Sequence, residues 1–194
     1  MTILKKIITI LFISILLVAC AKPESPSDVV EGYLKDIKKD VIKALNKSDF
    51  IIGKDDKELY ETLRKAFGDF DYTIVNETIE GEKAYVSVVI DTYDIGSALG
   101  EAATEYFGQI ISMILNGASE DDLQKLLYKL FNEKIDEAIK NGKTYNQMVT
   151  VPLKLEDNKW VLFDLENTDL INALLGNLID IIGSMSNQID FKED

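Results

Sequence analysis

The stretch FDYTIVNETIEGEKAYVSVVIDTYD, residues 70–94, carries the two-residue period of a β-hairpin. Apolar side chains occupy alternate positions at the start of the first half, at Phe70, Tyr72 and Ile74. They do so again through the second half, at Val86, Val88 and Ile90. Successive side chains of a strand point to opposite faces of the sheet, so each half is predicted to be a strand with one apolar face. The turn is predicted around Gly81, where the alternation stops.

A second hairpin is predicted nearer the C-terminus. Its strands are expected at 144–155 and 159–165, on either side of a turn centred on Asp157. The strands therefore come in two adjacent pairs, which favours an antiparallel sheet of four strands.

Apolar residues three and four positions apart predict helices in the remaining segments. Ser119 with Asp122 is a typical capping box at a helix start. The C-terminal helix is predicted to be continuous, with one apolar side against the domain and a polar side in solvent that includes Asn172 and Gly176. The predicted helices are 26–46, 55–67, 94–116, 120–140 and about 167–189.

The order helix, helix, hairpin, helix pair, hairpin, helix predicts an α+β fold. In this fold a four-stranded antiparallel sheet is packed by helices, with an extra C-terminal helix. The chain shows no internal repeat and no second linker, so a single domain is expected over residues 27–194. Leu34 and Leu127 are expected in its core.

The N-terminal segment has the composition of a secretory signal peptide. Lys5 and Lys6 precede an apolar run at 7–19, which corresponds to about 20 Å of helix and is too short for a comfortable bilayer span. The run ends in Leu17-Val18-Ala19-Cys20, which resembles the bacterial lipobox.

The lipobox resemblance implies that residues 1–19 are a lipoprotein signal peptide, cleaved between Ala19 and Cys20. It also implies that the Cys20 thiol carries a diacylglycerol group, that residues 20–26 form the lipidated cysteine with a short linker, and that the protein sits on the extracytoplasmic face of the cell membrane. Two or three acyl chains hold a protein firmly to a membrane. An ordinary signal peptide with an incidental cysteine and an uncleaved N-terminal anchor are the alternatives.

The composition excludes most catalytic templates. The chain has no histidine, and its one cysteine is assigned to the lipid, so imidazole and thiolate catalysis and the corresponding metal sites are not expected. No glycine-rich phosphate loop occurs, and no cofactor is predicted. The net charge is −13, or −15 after loss of the two lysines of residues 1–19, which argues against a nucleic-acid partner.

Two further strings extend the resemblance to a family. PSDVVEGYLKDIKKDV at 26–41 follows the lipobox, and LEDNKWVLFDLENTDLINALLGNL at 155–178 joins a strand containing Trp160 to the last helix. With the element order, they resemble a group of Gram-positive surface lipoproteins with a nuclear-transport-factor-2-like (cystatin-like) domain. The resemblance implies a curved, cone-like sheet that wraps a helix and leaves a pocket, and it implies no activity. The helix pair at 94–140 and the extra C-terminal helix depart from the simplest cone.

Polar side chains on the strands are candidates for lining such a pocket. An aspartate beside tyrosine hydroxyls can act as a base or bind a cation. The alternative is ordinary packing, with tyrosine hydroxyls at the edge of the core and aspartates in water near strand ends. The candidate pocket residues are Tyr72, Tyr85, Asp91, Tyr93 and Asp164.

The sequence favours a binding or interaction module, rather than an enzyme, anchored to the membrane through the lipid on Cys20. One alternative is a small-molecule pocket protein or a histidine-free enzyme that uses the cone cavity. Another is a structural or stress-related envelope lipoprotein. A homodimer through the C-terminal helix is a further option. An open cavity lined by Tyr85, Asp91 and Asp164 would favour a pocket protein, and a closed interior would favour an interaction protein.

Overall fold

A computed structural model of the chain describes residues 24–39, 57–163 and 167–189, with side chains up to residue 185. The predicted signal peptide, cleavage site and lipidated Cys20 lie outside the described residues, as does the candidate pocket residue Asp164.

Six helices and four strands make up the described residues, and the predicted α+β class is confirmed. Both hairpins and the first four helices begin close to their predicted positions, and the part of the first helix predicted beyond residue 39 lies outside the described residues. In chain order the elements are α1 Pro26–Lys39, α2 Lys57–Gly68, β1 Asp71–Glu80, β2 Lys83–Thr92, α3 Ile95–Leu115, α4 Glu120–Asn141, β3 Tyr145–Glu156, β4 Lys159–Leu162, α5 Thr168–Leu174 and α6 Leu178–Ile189.

The four strands form one antiparallel, curved and unclosed sheet in the order β1-β2-β3-β4. β2 pairs with β3 along its whole length. The pairing of β1 with β2 shifts register between Ile74 and Asn76, a bulge beside which the side chain of Val75 is exposed. One edge of the sheet is therefore β1, and the other is β4 together with residues 145–152 of β3, which β4 is too short to reach.

The first core, called the sheet core, lies between one face of the sheet and the helices α1 and α5. Alternate residues of β2 from Ala84 to Thr92 are buried on this face. Leu34 of α1 is fully buried against them, as predicted, and Leu170 of α5 packs in the same cluster. The opposite face of the sheet carries partly or largely exposed side chains such as Met148.

The second core, called the helical core, lies at the end of the sheet where β2 leads into α3. Because α2, α3, α4 and α6 each carry an apolar face, they pack together there rather than on the sheet. Its buried members are Leu59, Leu63, Ala66, Phe67, Tyr93, Ile95, Leu99, Ile135, Leu175 and Leu178.

The prediction of a continuous C-terminal helix is wrong, because the helix breaks between Leu174 and Leu178. Gly176 and Asn177 adopt positive φ angles of 60° and 68°. The N–H of Gly96 donates a hydrogen bond of 2.7 Å to the carbonyl oxygen of Gly176, so the break sits directly against the start of α3. As a result α5 packs on the sheet and α6 packs on α3.

Asn172 was expected on a solvent-facing side of that helix, but it is buried and caps α6. Its Oδ1 accepts a hydrogen bond of 2.9 Å from the N–H of Ile179, and its Nδ2 donates to Asp180 at 2.8 Å. The first N–H groups of a helix have no partner within the helix, so a side-chain acceptor there stabilises the helix start. The break therefore buries Asn172 and Gly176 of the predicted polar side, whereas Asp180 and Ser184 of that side remain exposed.

Gly176→Ala should lower the free energy of unfolding by about 3 kcal/mol or more. The positive φ angle is strained for alanine, and the new methyl group would overlap the carbonyl oxygen of Tyr93. Gly183→Ala is the matched control within α6. A β carbon at Gly183 meets no atom within 4 Å, so alanine should stabilise the helix by about 0.5–1 kcal/mol. Urea denaturation measures both variants, and a neutral Gly176→Ala would contradict the break.

Candidate functional site

The two ends of the sheet have different neighbours. At the start of α1, the N–H of Ser27 donates a hydrogen bond of 2.8 Å to Glu77, near the turn between β1 and β2. At the end of α1, Lys38 lies 3.5 Å from Asp71, where β1 begins. The end of the sheet around Gly81 is called the turn end, and the end around Asp71 the helical end. The domain therefore begins at the turn end, and α3 leaves from the helical end.

The candidate pocket residues do not converge on one cavity. Tyr72 packs at the margin of the sheet core, on the face covered by helices. Tyr85 and Asp91 alternate with the buried residues of β2 and so lie on the opposite face. Tyr93 follows the strand and is buried in the helical core. Asp164, outside the described residues, stays a prediction.

Charged side chains gather at the helical end around Lys143, which follows α4. The Lys143 Nζ lies 2.9 Å from Asp69 Oδ1 and 2.8 Å from Asp71 Oδ2. The hydroxyl of Tyr93 donates a hydrogen bond of 2.6 Å to the other Asp69 oxygen, and Lys38 approaches Asp71 from α1. These five residues are called the charged cluster.

The charged cluster favours the ionised form of its carboxylates. Hydrogen bonds from Tyr93 and then Lys143 lower the pKa of Asp69, and the hydrogen bond from Lys143 lowers the pKa of Asp71. Burial alone would lower the pKa of Lys143, but its hydrogen bonds to Asp71 and Asp69 outweigh burial and raise it. The hydrogen bond to Asp69 raises the pKa of the Tyr93 hydroxyl.

Carboxylates with lowered pKa values hold a proton poorly, and each charge in the cluster is matched by an opposite one. The charged cluster is therefore suited to joining chain segments rather than to moving protons at neutral pH. The sequence pattern did not identify it, because Lys143 is separated from Asp71 by 72 positions. The local pattern Gly142-Lys143 indicates only the end of a helix.

The helices α3 and α4 form a hairpin whose outer half projects beyond both cores. The buried residues of α3 all lie between Ile95 and Ala102, and those of α4 are Leu130 at its midpoint and Ile135 beyond it. Near the connecting turn the two helices therefore have mainly each other to pack against. The predicted capping box at the start of α4 is confirmed, with Ser119 and Asp122 bonding each other's backbone N–H.

The outer half of α3 exposes four large apolar side chains. Phe107 is 55% exposed, Ile111 68%, Ile114 55% and Leu115 81%. These four residues are called the apolar stripe, and no charged residue occurs anywhere in 106–119. Contiguous exposed apolar surface with a polar rim is typical of interaction sites, so the apolar stripe is the candidate functional site.

The sequence pattern locates the other apolar side of α3 but not the apolar stripe. The predicted inward positions Tyr106, Ile110 and Met113 are half-buried, and so is Leu127 of α4, which was expected in the core. A two-helix layer cannot fully bury its contact positions. Because this part of α3 is apolar on more than one side, its periodicity does not show which side lacks a partner.

A shallow depression of about 500 Å³ lies between α2 and α4. Its open shape and charged rim do not match the enclosed, mainly apolar sites that hold small molecules. Among the residues that the structure describes, no three potential metal-ligating side chains lie close enough together to hold a metal ion. The lining residues of the depression are Lys57, Glu58, Glu61, Thr62, Lys65 and Asp136.

Comparisons with known proteins provide little further information. No protein-family model matches the chain, and no curated protein matches it. The chain is similar to the crystal structure of a candidate lipoprotein from Bacillus subtilis, with a TM-score of 0.40 and 14% sequence identity. The match covers 77% of this chain and 46% of that one, so this chain spans less than half of that protein. This similarity lies below the level that defines a shared fold, and the nuclear-transport-factor-2-like cone stays a prediction.

Tyr93→Phe should lower the free energy of unfolding by about 1–2 kcal/mol at neutral pH, because it removes a hydrogen bond to an ionised carboxylate. The folded-state pKa of Asp69 lies below its ordinary value of 3.8. The contribution is therefore complete above that pH and is lost as the pH falls through the lowered value. In urea denaturation, the difference between Tyr93→Phe and the unmodified protein should shrink as the pH is reduced below about 4.

Tyr72→Phe is the matched control on the neighbouring strand. The Nζ of Lys38 lies 6.0 Å from the centre of the Tyr72 ring, and this contact survives the substitution. The destabilisation by Tyr72→Phe should be smaller and should not depend on pH in the acidic range. The same acid dependence for both variants would contradict the assigned role of the Tyr93 hydroxyl.

Proposed function

We propose that this protein is a lipoprotein held by its lipid on the extracytoplasmic face of the membrane, and that its folded domain is a protein-interaction module. The lipobox at Cys20 supports the anchor. The first helix begins at Pro26, so only a short linker would separate the domain from the lipid. No helix within the described ranges is both long enough and apolar enough to span a bilayer.

The way the sheet is covered supports an interaction module rather than a pocket protein. α1 and α5 occupy the covered face with packed apolar side chains, among them Leu34 and Leu170. Tyr85 and Asp91, which were expected to line a cavity, lie on the other face. In the described part of the chain, the apolar stripe places four largely exposed apolar side chains on one half of one helix, and this observation carries the proposal.

An anchor on Cys20 would orient the domain. The turn end, where α1 begins, would face the membrane, and β2 would lead about 30 Å away from it to the helical end. The hairpin of α3 and α4 would then start from the membrane-distal end of the sheet. A net charge of −15 on the cleaved chain would also keep the body away from anionic lipid headgroups.

Cys20→Ser tests the anchor. Cells that express the chain would be labelled with a fatty acid that carries a detectable group, and the label on the protein would be measured. The unmodified chain should carry the label and partition into the detergent phase. The variant should lose the label and retain residues 1–19, because lipobox processing requires the cysteine thiol.

Lys22→Ala is the control, since it changes the linker next to Cys20 and leaves the lipobox intact. It should be labelled and processed like the unmodified chain. Retention of the label in Cys20→Ser, or a mature-sized Cys20→Ser protein that still partitions into detergent, would refute the lipid anchor.

A further inference from the structure

We propose that the apolar stripe binds the apolar stripe of a second copy of this chain, so that α3 forms a homodimer interface. This inference rests on the proposed interaction module and names its partner. It differs from a dimer through the C-terminal helix, because α6 packs on α3 of its own chain.

The apolar stripe continues a helix face that already serves helix packing. At 100° per residue, Gly96, Gly100, Phe107, Ile111 and Ile114 fall within about 60° of one another around α3. The backbone of Gly176 and Asn177, just before α6, lies close to this face at Gly96, and Ile181 of α6 lies close to it at Gly100. Further along α3, the same face carries Phe107, Ile111 and Ile114 instead of glycine, and these large apolar side chains are exposed.

The absence of charged residues in the apolar stripe favours a second copy of the stripe as its partner. The cores of homodimer interfaces are depleted of charged residues, and the segment 106–119 contains none. Residues 190–194, which follow α6 in the chain, are all charged except Phe191. Burying them against the stripe would remove those charges from water without a partner, so they do not match this surface.

The area of the stripe fits an interface at the small, weak end of the range for specific contacts. The four side chains expose on the order of 450 Å² per chain, at about 170 Å² for a whole large side chain. Two stripes together expose about 900 Å², and the half-buried Ile110 and Met113 of both copies raise the available area to about 1,100 Å², just below the ~1,200 Å² of the smallest standard interfaces.

Two-fold symmetry needs only one self-complementary surface on each copy. A straight helix face meets this requirement when the second copy lies antiparallel to it. Ile111 is at the middle of the stripe and would then lie near the symmetry axis. It is therefore the position at which a new charge should disturb the interface most.

Because the whole chain is strongly acidic, the effect of salt on binding distinguishes a homodimer from a complex with a basic partner protein. Two cleaved chains, each with a net charge of −15, repel each other, and this repulsion is screened beyond about 8 Å at an ionic strength near 0.15 M. Dimerisation should therefore become tighter as salt is added. A complex with a basic partner protein would become weaker.

The test measures the oligomeric state of the full-length chain purified in a non-ionic detergent, by sedimentation equilibrium. The unmodified chain should form a dimer, and Ile111→Glu should raise its dissociation constant at least about tenfold. Ile79→Glu is the matched control, because Ile79 is a 52% exposed isoleucine on β1. This variant should leave the dissociation constant unchanged.

A second measurement avoids competition by detergent. Oxidation of membranes that contain Ile111→Cys or Leu115→Cys should give a reducible dimer, whereas Ile79→Cys should not. Cross-linking of Ile79→Cys to the same extent would show that the contact is not specific to the stripe. A reducible dimer of the unmodified chain, whose one cysteine is Cys20, would instead reveal a free Cys20 thiol, so a failed anchor and a failed interface are distinguishable.

The inference is overturned if the chain is monomeric in detergent and neither stripe cysteine cross-links in membranes. A monomer whose thermal unfolding midpoint falls on Ile111→Glu would assign the stripe to a contact within the same chain. A monomer whose midpoint is unchanged would assign the stripe to a different protein. Equal weakening of the dimer by Ile79→Glu and Ile111→Glu would also refute the stripe as the interface.

Discussion

The contact between the backbones at Gly96 and Gly176 determines how the two cores of this protein meet. The Gly96 N–H bonds the Gly176 carbonyl oxygen, and a β carbon on Gly96 would lie 2.5 Å from the carbonyl oxygen of Asn177. Such an approach is open only to residues without a side chain. Because α3 begins at this contact, the direction of the hairpin and the position of the apolar stripe both depend on it.

Local periodicity predicts the elements whose spatial neighbours are also neighbours in the chain. The β1–β2 hairpin and the capping box at Ser119 are of this kind, and both are found as expected. The break at Gly176 depends on Gly96, far away in the sequence, and a glycine within an apolar repeat does not show that another backbone takes the space of its side chain. Strand alternation likewise predicts that Tyr85 and Asp91 share a face. Which face the helices cover is decided only when α1 and α5 have packed.

The well-packed parts of the molecule and its exposed apolar stripe lie in different places. The sheet core closes one face of the sheet, and the charged cluster ties the loops at the helical end with Lys143 bound to two aspartates. The outer hairpin has no comparable support in the described residues, since its buried residues all lie at its base. If the lipid holds the chain on a membrane, confinement to a surface raises the effective concentration of each copy, and even a small interface would be occupied.

Edge strands expose unpaired N–H and C=O groups on which strands of other molecules can add, and this is a common origin of aggregation. Both edges of this sheet are poor templates. In β1 the bulge between Ile74 and Asn76 interrupts the regular spacing of these groups. On the other side β4 has only four residues, and in β3 beyond it the carbonyl oxygens of Thr150 and Pro152 accept hydrogen bonds from the side chain of Asn167 and the N–H of Phe163. On a crowded surface, where neighbouring molecules meet repeatedly, this would prevent fibril-like growth from the sheet. Contacts between neighbours would then be limited to helical surfaces, which can form a closed dimer rather than a growing fibril.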